Sequence, residues 1–290
     1  MSTDKPLNAI QFFKEFPSDD VCLEHLMHTR YGETLDCPKC GKNGKFHRVK
    51  KRPVYACQWC SHQISPMAGT PFERSSTSLQ KWFYAMYLFT TSRHGVPAKE
   101  LQRQLSVTYK TAWRMGHEIR KYMAEVDGDG KLGGHVEIDE AFIGGKEKDT
   151  RGPMARARSK KTAVMGMVER GGNLMTKIIP NTKAKTLLPI VYLNIEEGAT
   201  ISTDEYSSYR RLTRMGYTHG YVCHKDDKWV DGIHHTNSIE GFWARLKNSI
   251  RGTHIHVSRK HLPKYLGEFE YRYNMRANPS LMFDRLLKAF

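Results

Sequence analysis

The chain of 290 residues is 39% hydrophobic and 26% charged, which is typical of a soluble globular protein with one large domain or a few small ones. Its 46 basic and 30 acidic residues give a formal net charge of +16, and this excess favours a polyanion as partner because Lys and Arg side chains displace counterions from phosphates. The absence of a long apolar run and of a signal-peptide core argues against a membrane protein and predicts a cytoplasmic one.

Residues 1–34 are predicted to form an N-terminal helical segment, and two C-x-x-C knuckles follow it. The first knuckle holds Cys37 and Cys40, and the second holds Cys57 and Cys60. Each knuckle directs two thiolates toward one Zn²⁺ ion, and the length between them suits a β-hairpin. A pair of redox motifs would not explain two matched knuckles. We therefore predict a zinc ribbon over 35–74, with one structural Zn²⁺ that has no open coordination position.

The next segment, residues 75–125, has a helical pattern with a break at 106–108. Two helices joined by a turn of this length are typical of a helix-turn-helix, whose second helix enters the major groove of DNA with its N-terminal end. A plain helical connector is the alternative interpretation. The candidate DNA-binding residues are Thr108, Tyr109, Lys110, Thr111 and Arg114.

A Gly-rich stretch at 126–134 lacks the later ligands of a calcium loop, so we interpret it as a linker at a domain boundary. Beyond it, residues 135–290 mix strand and helix patterns, which predicts an α/β layer arrangement. Strands are predicted at 135–143, 162–170, 173–180, 199–203 and 217–223, and helices at 183–193, 206–215, 236–250, 258–275 and 280–289.

Three acidic residues of this second region are the candidate catalytic groups. Asp139 and Asp204 each end an apolar-alternating run, and Glu240 stands at the start of a helical stretch. Most Asp and Glu side chains are solvated surface charges, but phosphodiester cleavage by two Mg²⁺ ions needs a small set of carboxylate ligands. Because adjacent strand ends bring their residues together, the position, order and spacing of these acids predict a Mg²⁺ site that cleaves nucleic acid.

Further candidates accompany the third acid. Asn237, Glu240 and Lys247 recur at intervals of three and seven residues, so they share one face of their helix. Asn237 is a candidate oxygen ligand or water-orienting group, and Lys247 either holds a phosphate or is an ordinary surface lysine. Arg251 begins a second stretch that is expected to contact phosphates. The basic run over 146–161 predicts a loop that faces DNA, or one that is merely solvated.

Several motifs together carry a family resemblance. They are the paired knuckles, Glu137-Ile138-Asp139-Glu140-Ala141-Phe142-Ile143-Gly144-Gly145, Ser202-Thr203-Asp204-Glu205-Tyr206, His235-Thr236-Asn237-Ser238-Ile239-Glu240-Gly241-Phe242-Trp243 with Lys247, and Gly267-Glu268-Phe269-Glu270-Tyr271-Arg272-Tyr273-Asn274. On these motifs nearly the whole chain resembles bacterial insertion-sequence transposases of the ISXO2-like type, which join an N-terminal zinc ribbon to an RNase H-like DDE domain.

The resemblance implies an RNase H-like catalytic domain over 135–290, with a mixed central sheet and Mg²⁺-dependent cleavage and transfer of DNA strands. Asp139, Asp204 and Glu240 would hold two Mg²⁺ ions, for which Mn²⁺ could substitute. The third ligand is Glu240 or Asn237, and Glu240 is favoured because a carboxylate binds Mg²⁺ more strongly than an amide does.

The implied partners are double-stranded DNA, both as terminal repeats and as target, and further copies of the chain on that DNA. A bacterial location at the nucleoid and no membrane partner follow. Two other functions remain open: a catalytically inactive DNA-binding regulator, against which the intact acids argue, and an RNase H-like nuclease without strand transfer.

Overall fold

A computed structural model describes residues 7–126, 130–144, 161–223 and 230–290. The predicted basic loop therefore lies outside the described residues, apart from Lys161. The chain forms two units, Met1–Val126 with Ala277–Phe290, and Asp127–Arg276. No helix in the described ranges has the length and apolar character that a membrane span requires.

The first unit consists of short strands between helices. Its α-helices are α1 (Ala9–Glu15), α2 (Asp19–Tyr31), α3 (Leu79–Thr91), α4 (Ala98–Leu105), α5 (Tyr109–Val126) and α9 (Met282–Lys288). Helix α9 follows the helices of the second unit in the sequence. Its strands are β1 (Leu35–Asp36), β2 (Asn43–Gly44), β3 (Phe46–Arg48), β4 (Tyr55–Cys57) and β5 (Gln63–Ile64). All of its strand pairs are antiparallel, with β1 on β2 and with β4 between β3 and β5.

The C-terminal helix α9 packs in the first unit, whereas the sequence assigned all of residues 135–290 to the catalytic domain. The physical reason is an aromatic core that α9 completes. The Phe283 ring centroid lies 5.6 Å from that of Phe16 and 6.1 Å from that of Phe83. Phe290 likewise lies 4.1 Å from Tyr122. Burial of such rings is favourable, and the helices of the first unit offer the apolar surface.

The second unit is built on a five-stranded sheet. Its strands are β6 (His135–Ile143), β7 (Thr162–Glu169), β8 (Leu174–Ile179), β9 (Thr200–Asp204) and β10 (Thr218–Val222). Its α-helices are α6 (Ala184–Asn194), α7 (Asn237–Ser249) and α8 (Leu262–Asn274). The strand order is β10-β9-β6-β7-β8, in which β7 is antiparallel to β6 and β8, while β9 is parallel to β6 and β10. The sheet is therefore mixed, as expected.

Alternating residues of β6 supply two separate cores. Val136 and Ile138 belong to the cluster that includes residues of α6, whereas Ala141 and Ile143 belong to the cluster that includes residues of α7 and α8. Successive side chains of a strand point to opposite faces, so Glu137 and Asp139 share the face of α7. This alternation decides which functional side chains meet.

Side chains of α8 cover the edge of β8. Asn274 accepts a hydrogen bond from Leu174 N at 2.7 Å and donates one to Leu174 O at 3.0 Å. One turn earlier, Glu270 accepts from Thr176 N at 2.6 Å. Edge strands present unpaired backbone groups. Glu270 and Asn274, which belong to the last of the resemblance motifs, satisfy the groups of Thr176 and Leu174.

Two predicted segments differ from the structure. Residues 206–215 form two 3₁₀ turns, Ser207–Tyr209 and Thr213–Met215, rather than one α-helix. The hydrogen bonds run over three residues, as from Tyr209 N to Tyr206 O, and Gly216 at φ 89° ends the segment. Within the predicted linker of residues 126–134, Leu132 is buried in the core of the second unit and bridges to Ile195.

Gly166 of β7 allows α7 to approach the sheet closely. A Cβ atom at this position would lie 2.6 Å from both Ile239 Cδ1 and Trp243 Cζ2, and these two side chains are buried. Because Gly166 is the ladder partner of Asp139, a displaced α7 would move relative to the strand that carries the first acid.

We predict that Gly166→Ala lowers the free energy of unfolding by about 1–3 kcal/mol because it overpacks this contact. Urea denaturation would measure the change. The control is Gly241→Ala in α7, which has open space at the Cβ position and should gain roughly 0.5–1 kcal/mol from helix propensity. Equal responses of the two variants would contradict the close approach.

Candidate functional site

The four knuckle cysteines converge in the first unit. Cys37 Sγ lies 3.6 Å from Cys60 Sγ, and Cys40 Sγ lies 4.0 Å from Cys57 Sγ. All four sulfur atoms are within 4.8 Å of one another. Zn–S bonds of about 2.3 Å at tetrahedral angles separate sulfur atoms by about 3.8 Å, so the cluster fits one structural zinc ion.

The candidate DNA-binding residues lie at the start of α5. Thr108, Tyr109, Lys110 and Arg114 are exposed, and Thr111 is half-buried. Thr108 Oγ1 accepts from Thr111 N at 3.2 Å, so this hydroxyl caps the helix. The turn from α4 passes through Ser106 with φ 50°. The first turn of α5 thus presents polar and basic groups to solvent.

In the second unit, the sheet opens between the two aspartates. The parallel pairing of β6 with β9 includes Glu137 opposite Ser202 and ends there. Extending the same register by two residues would set Asp139 opposite Asp204, so the strands separate just before the two acids. Asp204 Oδ1 accepts from Tyr206 N at 3.0 Å, which fixes the turn after β9. Asp204 ends β9 as expected, whereas Asp139 lies in the middle of β6, which continues to Ile143 because it remains paired with β7 beyond the end of its pairing with β9.

Helix α7 adds the third acid and the lysine. Glu240 is half-buried in the first turn, where its Oε1 accepts from Thr236 Oγ1 at 2.6 Å. Lys247 is half-buried two turns later. Asn237 occupies the first helical position and is exposed, as is Arg251 in the π-helical turn that follows α7.

The electrostatics link four of these residues. Burial raises the pKa of Asp139 to about 6, the negative charges of Asp204 and Glu240 raise it as well, and Lys247 opposes them. The charges from β6, β9 and α7 are therefore close enough to interact. The carboxylate oxygens of the three acids lie farther apart than the cysteine sulfurs do. Among the described residues, the four cysteines are the one group whose ligand atoms are close enough to share an ion without rearrangement.

Glu140 is a neighbouring acid to which the sequence reading assigned no role. Burial raises its pKa to about 7, a hydrogen bond donated by the Tyr209 hydroxyl opposes this rise, and the charges of Asp139 and Asp204 add to it. Tyr209 is fully buried and lies in the turn after β9. This contact connects the strand of Asp139 to the segment that follows Asp204.

Sequence reasoning also assigned no role to Glu137 and Thr236, although both stand in motifs that carried the resemblance. Glu137 is fully buried, and its carboxylate accepts hydrogen bonds from Arg170 Nε at 2.8 Å and from Ser238 N at 2.7 Å. An acidic residue at an inward position of a buried strand was the available signal, because such residues are rarely buried without partners.

Comparisons with known proteins agree with this architecture. Residues 131–274 match the family model described as the ISXO2-like transposase domain, and residues 17–63 match the transposase zinc-ribbon domain. The chain is 30% identical over 287 residues to an uncharacterized protein in the transposable element ISH50 of Halobacterium salinarum, covering 92% of this chain and 94% of that protein. It is 27% identical over 99 residues to an uncharacterized transposase-like protein of Haemophilus influenzae, covering 34% of this chain and 79% of that protein.

For the cysteine cluster, we predict that Cys57→Ser loses bound zinc and exposes residues 35–64 to protease, because three thiolates leave the tetrahedral site incomplete. Elemental analysis should give about one Zn²⁺ per wild-type chain. Cys22→Ala is the matched control, since Cys22 is buried in the same unit but stands outside the cluster. Zinc retained by Cys57→Ser, or lost by Cys22→Ala, would contradict the assignment.

For the acids, we predict that Asp139→Asn stabilises the protein near neutral pH in buffer without divalent cations. The folded pKa of Asp139 is raised to about 6, so the stability that its protonated form contributes is fully present below about pH 4 and is lost as pH rises through 6. The variant should gain on the order of 3 kcal/mol at neutral pH and nothing near pH 4. Thermal unfolding across this range tests it, with the exposed Asp231→Asn as control.

Proposed function

The chain belongs to the ISXO2-like transposase family, and on that premise we propose that it binds the ends of an insertion sequence and catalyses Mg²⁺-dependent cleavage and transfer of DNA strands. The observation that carries the proposal is the placement of Asp139, Asp204 and Glu240 on neighbouring elements. Strand β6 pairs with β9 up to Glu137 and Ser202, two residues before the aspartates, and Glu137 binds the start of α7, which carries Glu240. Three acids that are far apart in the sequence thus lie on neighbouring elements, inside a chain of net charge +16.

The donor set fits hard divalent cations. Mg²⁺ and Mn²⁺ take carboxylate and amide oxygens, together with water and phosphate oxygens. We propose that Asp139, Asp204 and Glu240 hold two Mg²⁺ ions, which would activate the attacking oxygen and stabilise the leaving one. Lys247 would contact a phosphate beside them, since its charge already acts on Asp139. Loss of protons from the acids accompanies metal binding.

Glu240 remains our choice for the third ligand. It is half-buried and its carboxylate is held by Thr236, whereas Asn237 is exposed at the helix start. A restrained carboxylate loses less conformational entropy on binding an ion than a free side chain does. Asn237 is then an auxiliary group that orients water or phosphate.

The scaffold has proposed roles as well. A mixed sheet with helix-containing cores on both faces supports the RNase H-like fold for the second unit. In the first unit, α4 and α5 support a helix-turn-helix in which Tyr109, Lys110 and Arg114 approach the major groove. Arg251 would bind a phosphate near the acids. Cleaving two element ends and joining them to a target further suggests several copies on double-stranded DNA, at the nucleoid.

The decisive experiment incubates the purified chain with DNA carrying both flanking element ends and Mg²⁺, and scores nicking and joining separately. We predict that Asp139→Asn and Asp204→Asn each lower both activities at least 10³-fold, on the order of the loss when a main catalytic group is removed. DNA binding, measured by gel shift, should persist because α5 lies in the other unit. Glu240→Gln should resemble the Asp variants, and Asn237→Ala should be milder.

Each alternative function has its own outcome. Nicking without joining would identify a nuclease, and end binding without either reaction in the wild type would identify a regulator. If the Asp139→Asn variant cleaved DNA as fast as the wild type, the proposed metal site would be rejected. A severe loss in Asn237→Ala combined with an active Glu240→Gln would transfer the third-ligand role to Asn237.

A further inference from the structure

Glu137 replaces the local N-cap of α7. Both of its carboxylate oxygens are engaged: Oε2 accepts from Ser238 N at 2.7 Å and from Ile239 N at 3.2 Å, and Oε1 accepts from Ser238 Oγ at 3.0 Å. The first amide groups of a helix have no intrahelical partner and attract negative charge. A carboxylate from β6 therefore meets the need that a side chain just before the helix usually meets.

Thr236 is the residue in the N-cap position, and its side chain makes no capping hydrogen bond. Its hydroxyl is 2.6 Å from Glu240 Oε1 and donates to it. Thr236 is only 2% exposed, so water does not compete freely for this hydroxyl. The usual capping group thus restrains the third acid, while Glu137 performs the capping.

Arg170 holds the chain that enters this helix. Its Nε donates to Glu137 Oε1 at 2.8 Å, while its two terminal nitrogens donate to Ile233 O at 2.6 Å and His235 O at 3.1 Å. His235 Nδ1 lies 3.1 Å from Glu137 Oε1. The guanidinium thus neutralises the buried carboxylate and fixes the segment that ends in Thr236.

Stability alone does not explain why the Glu137–Arg170 ion pair lies at the start of α7. A buried carboxylate such as Glu137 loses much hydration energy even when it is paired, and apolar residues of similar volume often serve stability as well or better. The same unit contains a comparison: Glu268 of α8 is also fully buried and paired with Arg272, four residues later on the same helix. Glu137 instead connects the strand of Asp139 to the helix of Glu240.

We propose that Glu137 and Thr236 are positioning residues for the metal site: Glu137 anchors the start of α7 to β6, which leaves the Thr236 hydroxyl to hold the Glu240 carboxylate toward Asp139. The inference rests on the proposed function in taking Glu240 as a ligand. It adds two residues that act through Glu240 and are not themselves proposed as metal ligands.

The test measures Mn²⁺ affinity by electron paramagnetic resonance, together with the Mn²⁺ concentration that gives half-maximal cleavage. Groups that orient metal ligands typically change metal affinity or activity by 10–100-fold when they are removed. We expect losses in this range for Glu137→Gln and Thr236→Val, with Thr236→Ser restoring nearly wild-type affinity. Hydrogen exchange at Ser238 and Ile239 should accelerate in Glu137→Gln but not in Thr236→Val.

Glu268→Gln is the matched control, because it removes an equally buried charge from the same unit and should lower the melting temperature while leaving Mn²⁺ affinity unchanged. Wild-type affinity in both Glu137→Gln and Thr236→Val would overturn the inference, as would an equal loss in Glu268→Gln. Since Mn²⁺ binding is read without cleavage, an inactive wild type would reject the proposed reaction and still test the positioning. Loss of cleavage in Asp139→Asn, together with wild-type cleavage and Mn²⁺ affinity in Glu137→Gln, would reject the positioning role of Glu137 and leave the proposed function intact.

Discussion

The withdrawal of acidic side chains from water is the constraint on which the arrangement of the second unit depends. Asp139 is withdrawn from water and lies within the influence of Asp204 and Glu240, and its pKa rises accordingly. Burial of ionised groups is costly unless opposite charge is near. Lys247 supplies part of that charge from α7. The ionised acids are therefore a locally unfavourable feature that the surrounding structure holds in place, and the divalent cations that we propose would relieve their repulsion.

Strand β6 organises this surrounding structure because its residues alternate between two faces. Glu137 and Asp139 point toward α7, and the next residue, Glu140, points to the face where the turn after β9 packs. Tyr209 from that turn bonds to Glu140. Strand β6 thus carries Asp139, and it also carries Glu137 before it and Glu140 after it. Glu137 binds the start of α7, the helix of Glu240, and Glu140 binds the turn that follows Asp204. The alternation of side chains along a strand is sufficient to direct Glu137 and Glu140 to opposite faces of the sheet.

The sequence predicted the patterns that depend on local chemistry. The spacing of Cys37 and Cys40 indicated a zinc ribbon. The alternating pattern of residues 135–143 predicted a strand whose bounds are those of β6. Contacts between distant segments could not be read in this way. The capping of α7 by Glu137 joins residues about a hundred positions apart, and the packing of Phe283 on Phe16 joins the chain's two ends. Both depend on tertiary packing, which single-sequence periodicity does not encode.

The membership of α9 in the first unit also bears on biosynthesis. Domains generally fold as units and in order of emergence during translation. Here the segment up to residue 126 leaves the ribosome early, yet its aromatic core lacks Phe283 and Phe290 until residues 283 and 290 have been translated. The sheet of the second unit has all of its strands well before that moment. The unit that is translated first can thus complete its phenylalanine cluster only after the second unit has been synthesised.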